Sequence, residues 1–424
     1  MIYIAAKLPP SLVTSRIIAN FAGDMKRLLQ VNTTIGRTAP GLIADELDRL
    51  ATAAGWDCHL AYGRPGPLAD GFDPASRHRL ASTAEVAWHG AMTRLSDRHG
   101  LHSAAATRRL CRLIEKLQPD VVHLHNIHGY YLHYPLLFNY LRQRQLPVVW
   151  TLHDLWPLTG HCAFFATDRC DGLARGCAGC RRKGVYPGSL LLSRAEANFR
   201  DKQAAFAGLD HLHLVAVSHY VADLLPGSIL GQYPVTTIYN GIDLPADPHT
   251  PTTATDRPLA LGVAYRWDER KGLADFRELR RHLPDDWRIR LIGLTKRQIA
   301  SLPEGIEGCE RVDTPADLRR HYAEATVLVS LSHGESLGMV SLEAQACGTP
   351  VVMYDAGGCA ETIAPDTGLA VARGDVAAAA RACQAIAADP MHYTPQACRA
   401  NVAARFDRTT NFSRYLTLYN TLTD

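Results

Sequence analysis

The chain has 424 residues, enough for two domains with separate cores, and its 47% hydrophobic content and near-balanced charge (45 Lys and Arg, 42 Asp and Glu) fit an ordinary globular protein. No apolar run reaches the length of a membrane span, and the opening residues meet Pro9-Pro10 before they could form a signal-peptide core. Eleven cysteines, an odd number, without a secretion signal point to a reducing compartment, so a cytoplasmic protein is expected.

The charge is divided unevenly. Residues 25–238 carry 23 Lys and Arg against 17 Asp and Glu, a net +6, whereas residues 239–424 carry 20 against 24, a net −4. A basic first half suits a phosphorylated acceptor or an anionic membrane surface, with peripheral attachment to the inner face of the cell membrane. No basic stretch is interleaved with aromatics, so nucleic acid is not an expected partner.

In chain order, residues 1–24 read as an upstream extension without a role, because Met25-Lys26-Arg27 makes a normal start and the first strand begins at Leu28. The loop Asn32 to Gly41 leads into a helix marked by Ile43, Leu47, Leu50 and Ala54 and ended by Gly55. Gly36 and Gly41 would let backbone approach an anion, although an ordinary strand-to-helix turn explains them equally well. A second strand spans Trp56 to Gly63, a loop 64–78, and a helix 104–117. Asp120 to Asn126 is a buried strand on which His123 and His125 share one face, with His128 in the loop beyond. Three histidines in six residues at a strand's carboxyl end favour function over packing, with His125 the first candidate and His128 the second.

The next strand, Val148 to Asp154, also ends on polar groups. Within residues 155–183, Cys162, Cys170, Cys177 and Cys180 follow the pattern C-x7-C-x6-C-x2-C. Four cysteines so close can close a tetrahedral structural zinc site; independent thiols or redox pairs are the alternatives. Residues 186–206 read as a polar helix, His213 to Ser218 as a strand, and Tyr220 to Leu225 as a short helix. Val235 to Asp243 ends the first domain, and the Pro- and Thr-rich residues 244–256 form a linker.

A second strand–helix alternation begins at Leu259 to Tyr265, whose loop carries Arg266 and Lys271, two cations at a strand end. Further strands are expected at Arg288 to Gly293, Cys309 to Asp313 and Ala325 to Ser332. Then comes a loop, Ser332-His333-Gly334-Glu335, and a helix from about Gly338 that puts Leu342 and Ala346 on one face. Gly348 and Pro350 stop it before the strand Pro350 to Met353. Glu335 in the loop and Glu343 on the helix can hold two diols, while free N–H groups of Gly338, Met339 and Val340 can hold phosphate between them. Ala377 to Ala388 and Asn401 to Leu422 read as helices.

This stretch, with paired glutamates, the Gly348-Thr349-Pro350-Val351-Val352 strand and Gly357-Gly358-x-x-Glu361, resembles the donor-site signature of retaining glycosyltransferases of family 4. Arg266 and Lys271 stand where that family has Arg-x4-Lys-Gly, and the segment around His153 to Phe165 with its cysteines resembles the colanic-acid branch. The resemblance covers residues 25–424. It implies a GT-B fold: two Rossmann-like α/β domains with parallel sheets facing a central cleft, residues 25–243 on the acceptor side and 257–400 on the nucleotide-sugar side. A last helix within 401–424 would cross back to the first domain. The implied reaction is retaining transfer of a sugar from a UDP- or GDP-sugar to a hydroxyl of a lipid diphosphate-linked saccharide in exopolysaccharide synthesis. Arg266 and Lys271 would stabilise the leaving diphosphate, Glu335 and His125 would contact the donor sugar, and Glu343 the ribose. No D-x-D motif occupies a strand-end loop, so no catalytic metal or other cofactor is expected. The competing readings are a non-catalytic zinc-containing sugar-binding or scaffold protein and a GT-B nucleotide-sugar epimerase.

Overall fold

A computed structural model describes residues 25–36, 38–67, 71–164, 175–180, 184, 186–190, 192–246, 257–312 and 314–424. The proposed extension, most of the linker, Cys170 and Asp313 lie outside the described residues.

Two parallel sheets account for the strands. The first comprises β1 (Arg27–Thr34), β2 (Asp57–Arg64), β3 (Arg77–Arg79), β4 (Val121–Leu124), β5 (Val148–Leu152), β6 (Leu212–Ala216) and β7 (Val235–Thr237). Their spatial order is β3-β2-β1-β4-β5-β6-β7. The second comprises β8 (Leu259–Val263), β9 (Arg288–Ile292), β10 (Ile306–Cys309), β11 (Val327–Ser330), β12 (Val351–Asp355) and β13 (Gly368–Ala372), in the order β10-β9-β8-β11-β12-β13. Helices cover both faces of such sheets, so central strands read as continuous apolar runs rather than alternating ones. β4 and β5 are buried throughout, and this is why their sequences were recognisable. Strand order reverses between β1 and β4 and again between β8 and β11, and ligands bind at the carboxyl ends beside such reversals.

Several boundaries differ from expectation. The third strand of the second sheet is Ile306–Cys309, ahead of the apolar signal at Val312, because its register is set by pairing Ile306 with Ile289 and Cys309 with Ile292. The helix after the cysteines begins only at Ala195, since Pro187 and Gly188 interrupt the polar run before it. The first helix, Thr38–Ala53, buries Ile43, Leu47 and Ala51, while Ala54 lies beyond its end. A helix at Thr83–Ser96 had no apolar periodicity pointing inward, although Ser82 and Glu85 form a complete capping box at its start.

The carboxyl-terminal region is two helices, Pro395–Arg405 and Arg408–Thr423. Asp407 breaks the run by accepting from Thr410 N at 2.8 Å, starting a new helix in a new direction. That last helix lies on the first sheet. Phe412, Tyr415 and Tyr419 are buried with Leu28, Leu47, Trp56 and Val121. Tyr419 OH sits 2.7 Å from His123 Nδ1, and Thr151 Oγ1 donates to Tyr415 OH at 3.2 Å. His123 is therefore a core histidine.

Candidate functional site

A cavity of about 360 Å³ opens where the carboxyl ends of the two sheets face each other. The first domain contributes Ala39 and Pro40 after β1, Asn126 after β4, and His153 and Asp154 after β5. The second contributes Arg266, Arg270 and Lys271 after β8, and Glu335 to Val340 after β11.

The loop after β11 is fixed by its neighbour after β12. Glu335 N donates to Ala356 O at 3.0 Å, and Gly358 N returns to Glu335 O at 2.9 Å. Gly357 has φ +92°, and a Cβ there would lie 2.2 Å from Glu335 O; one on Gly358 would lie 2.1 Å from Ser336 O. Glycine at both positions is thus a requirement for the close approach that aims Glu335. Asp268 accepts from Lys271 N at 3.1 Å and shapes the cationic loop opposite.

Glu335 is the electrostatic centre. Its Oε1 is ion-paired with Lys271 Nζ, accepts from Ser332 Oγ at 2.7 Å, and lies 3.4 Å from Arg270 Nη1. Burial would raise its carboxyl, but the Lys271 and Arg270 charges and the hydrogen bonds from Lys271 and Ser332 outweigh this and hold it down to about 2. Arg270 also donates to Gly334 O at 2.9 Å and stacks 4.4 Å over the Phe164 ring from the first domain. Arg266 stands exposed on the cavity wall.

Gly338 (φ +91°) opens the helix Met339–Ala346, and Gly338, Met339 and Val340 all reach the wall. Glu343 lies one turn further on, behind the wall. Tyr322 OH donates to its Oε2 at 2.7 Å, and its buried Oε1 has no hydrogen-bond partner. Burial pushes this carboxyl up to about 7, with the Tyr322 hydrogen bond opposing.

The other expected residues are placed differently. Gly36 packs against Pro67, where a Cβ would lie 1.7 Å from its carbonyl oxygen, and Gly41 sits inside the first helix against Thr34. Neither lines the cavity, because the glycines serve chain packing there. His125 is buried, with Nε2 2.9 Å from Gln30 Oε1 and Nδ1 3.0 Å from His153 Nε2. It meets the cavity only through His153. His128 lies behind Asp154, 2.8 Å from its Oδ2, with Tyr186 OH 3.0 Å from the other ring nitrogen. Burial raises the Asp154 carboxyl, but the His128 charge and hydrogen bond and that from Trp156 N overcome this and lower it.

Sequence reasoning passed over Asn126, His153, Asp154 and Arg270. His153 and Asp154 carried the same signal as His125, polar residues ending a buried strand. Arg270 was hidden between two cations already chosen.

Among the described cysteines of the loop after β5, Cys162 and Cys177 are buried and Cys180 is half-buried. Gly160 N donates to Cys177 Sγ at 3.2 Å. The buried Lys202 donates to Trp156 O at 2.6 Å and Thr159 O at 2.7 Å. Burial pushes its ammonium down to about 7 against the raising influence of Cys177 and Cys162. Among the described residues, no three His, Cys, Asp or Glu side chains converge as a metal site.

Residues 43–245 match the family model "Glycosyltransferase Family 4", and residues 261–389 match "Glycosyl transferases group 1". The chain is 28% identical over 232 residues to WcaC of Escherichia coli K12, a putative colanic acid biosynthesis glycosyl transferase, covering 51% of this chain and 55% of that protein. It is 32% identical over 211 residues to a D-inositol 3-phosphate glycosyltransferase of Xylanimonas cellulosilytica, covering 47% and 48%. The chain thus spans about half the length of these curated relatives. Among solved structures, sucrose-phosphate synthase of Thermosynechococcus elongatus superposes with a TM-score of 0.69 at 20% identity, covering 94% of this chain and 99% of that one. HepE of Anabaena in complex with UDP-glucose gives 0.62 at 14% identity, covering 93% and 99%. These likenesses show the fold.

Proposed function

From a chain that belongs to glycosyltransferase family 4, we propose an enzyme that moves a hexosyl group from a nucleoside diphosphate-sugar to a hydroxyl, with retention of anomeric configuration. The observation that carries this reading is the cluster of Arg266, Arg270, Lys271 and Glu335 facing Asp154 and His153 across one cavity. As the bond from the anomeric carbon to the diphosphate oxygen breaks, negative charge grows on the diphosphate and oxocarbenium character on the sugar. Arg266, Lys271 and the N–H groups at Gly338 to Val340 stabilise the first. Glu335, ionised throughout the physiological range, faces the second. The acceptor oxygen bonds to the anomeric carbon, and its proton passes to the leaving diphosphate. No residue is required as a base and no metal enters a step.

The Anabaena neighbour solved with UDP-glucose supports a UDP-sugar donor, and the likeness to a putative colanic acid biosynthesis glycosyl transferase supports a saccharide acceptor in exopolysaccharide synthesis, which we take to be lipid-linked. A ribose contact at Glu343 is supported by its unpartnered buried oxygen, one helical turn behind the wall. An interaction present equally in ground and transition states changes KM, and one strengthened in the transition state changes kcat. In calorimetric titration with UDP and GDP, Glu343→Ala is therefore expected to lose nucleotide affinity. Glu335→Ala is expected to keep that affinity, and both it and Lys271→Ala are expected to lower kcat by on the order of 10²-fold. Nucleotide affinity lost at Glu335 and kept at Glu343 reverses the roles. No effect in any variant removes the site.

A structural zinc on Cys162, Cys170, Cys177 and Cys180 is a second part of the proposal. Two buried cysteines beside a buried ammonium support it, since Lys202 would offset thiolate charge. Bound zinc would tie the loop together, leaving the transfer chemistry to other residues. Elemental analysis of protein prepared without chelator is expected to find about one zinc per chain; metal-free protein with full activity refutes it.

A further inference from the structure

The helix Thr83–Ser96 is turned inside out. Its inward face is largely polar: beside Val86, which packs on the core, His89 and Thr93 are fully buried, His89 Nδ1 lies 2.6 Å from Ser103 Oγ, and Nε2 accepts from Gly100 N at 3.1 Å. Its outward face is apolar. Ala84, Trp88, Ala91, Met92 and Leu95 recur there at helical spacing, with Trp88 62% and Leu95 49% exposed. A helix on a globular surface has the reverse arrangement.

The patch continues onto the neighbouring segment. Leu190 N donates to Arg94 O at the helix end at 2.8 Å, and Arg194 N donates to Asp97 Oδ2 at 2.6 Å. Leu190 and Leu192 between them are 66% and 53% exposed. The charge on the helix and its flanks is predominantly basic, although the segment after Leu192 carries the exposed Glu196. From Leu80 to Arg112 the acids are Glu85 and Asp97. Glu85 is ion-paired with Arg109 at 2.6 Å, and Asp97 is buried against His161 at 3.0 Å. Arg79, Arg94 and Arg98 remain exposed around the apolar stripe.

We propose that this face docks on an anionic lipid bilayer. Apolar side chains with Trp among them, ringed by arginines and lying on a convex helix, match the boundary between acyl chains and anionic headgroups. The face is also joined to the cavity. Tyr186, on the same segment as Leu190, contacts His128, and His128 contacts Asp154 on the cavity wall. Docking therefore sets the acceptor side of the cleft against the membrane, where a lipid-linked saccharide is presented. That purpose rests on the acceptor proposed above; the docking itself does not.

Trp88 supplies the test, because the other five of the six tryptophans are no more than 5% exposed. The full chain is mixed with vesicles of phosphatidylglycerol and phosphatidylcholine, or of phosphatidylcholine alone. Flotation with the anionic vesicles is expected, with a blue-shifted emission quenched by brominated acyl chains and reversed by salt. Trp88→Ser, and separately Leu190→Ser with Leu192→Ser, are expected to weaken binding roughly tenfold at unchanged melting temperature. Absence of flotation, or equal flotation of the variants, overturns the proposal. So does self-association without vesicles that these variants abolish, which assigns the face to a second copy of the chain. Nucleotide titration separates the two readings: a chain that floats but binds no nucleoside diphosphate refutes the transferase and leaves the docking face standing.

Discussion

Glu335 and Glu343 show how environment divides two identical side chains. Burial raises both carboxyls, but cations adjoin Glu335 whereas Glu343 has one tyrosine hydroxyl. The folded pKa of Glu343, about 7, lies above its ordinary value of 4.5. A raised pKa means that its contribution to stability is fully present below 4.5 and lost as pH rises through about 7, a loss on the order of 3 kcal/mol. Glu343→Gln keeps an acceptor for Tyr322 and never ionises. Its melting temperature relative to the native chain is therefore expected to climb between pH 5 and pH 8. A difference that stays constant across that range would show that Glu343 is not buried as an unpaired acid.

At the scale of the elements, the cavity loops of the second domain work as a unit. The loop carrying Glu335 is held to the Gly357-Gly358 turn by backbone bonds that leave no room for a side chain. Gly357→Ala combines backbone strain with displacement of Glu335, whereas Gly374→Ala (φ +83°) meets nothing within 4 Å and brings strain alone. Each is expected to cost on the order of 2 kcal/mol in urea unfolding, more for Gly357. Gly357→Ala alone is expected to lose turnover. Equal turnover in the two variants would show that the turn does not position Glu335. The loop was readable in the sequence because a positive-φ turn leaves glycines behind. Thr83–Ser96 misleads in the other way, since its apolar residues recur at helical spacing like a buried stripe but face outward, a choice that only packing makes.

Across the whole molecule, several contacts among the described residues join the two domains, and two of them lie beyond the cavity wall. Glu361 reaches across to the first domain, accepting from His219 N at 2.8 Å, Tyr220 N at 2.7 Å and Tyr239 OH at 2.9 Å. The last helix is the other, with Arg408 buried at its start and 2.9 Å from Asp243. The Glu361 contact comes from the turn that begins at Gly357, so the segment that holds the Glu335 loop also touches the first domain. Among the described residues, no helix is long and apolar enough to cross a membrane.

The amino-acid sequence alone determined the two-domain α/β architecture and pointed to cationic and acidic residues that line the cavity from the second domain. Parallel strands buried on both faces leave unbroken apolar runs, and strand-end loops of fixed spacing carry Arg266, Lys271, Glu335 and the Gly338 helix start. The tertiary structure decided which residues of the first domain reach the cavity. His125, His128, His153 and Asp154 all end buried strands or begin the loops beyond them, so periodicity cannot rank them. Sheet packing turned His125 inward to Gln30 and left His153 and Asp154 on the cavity wall. It also decided that Glu343, eight residues from Glu335, lies behind the wall while Glu335 stands on it, because a helix rotates each residue away from the last and only the packed sheet behind it defines which side is solvent.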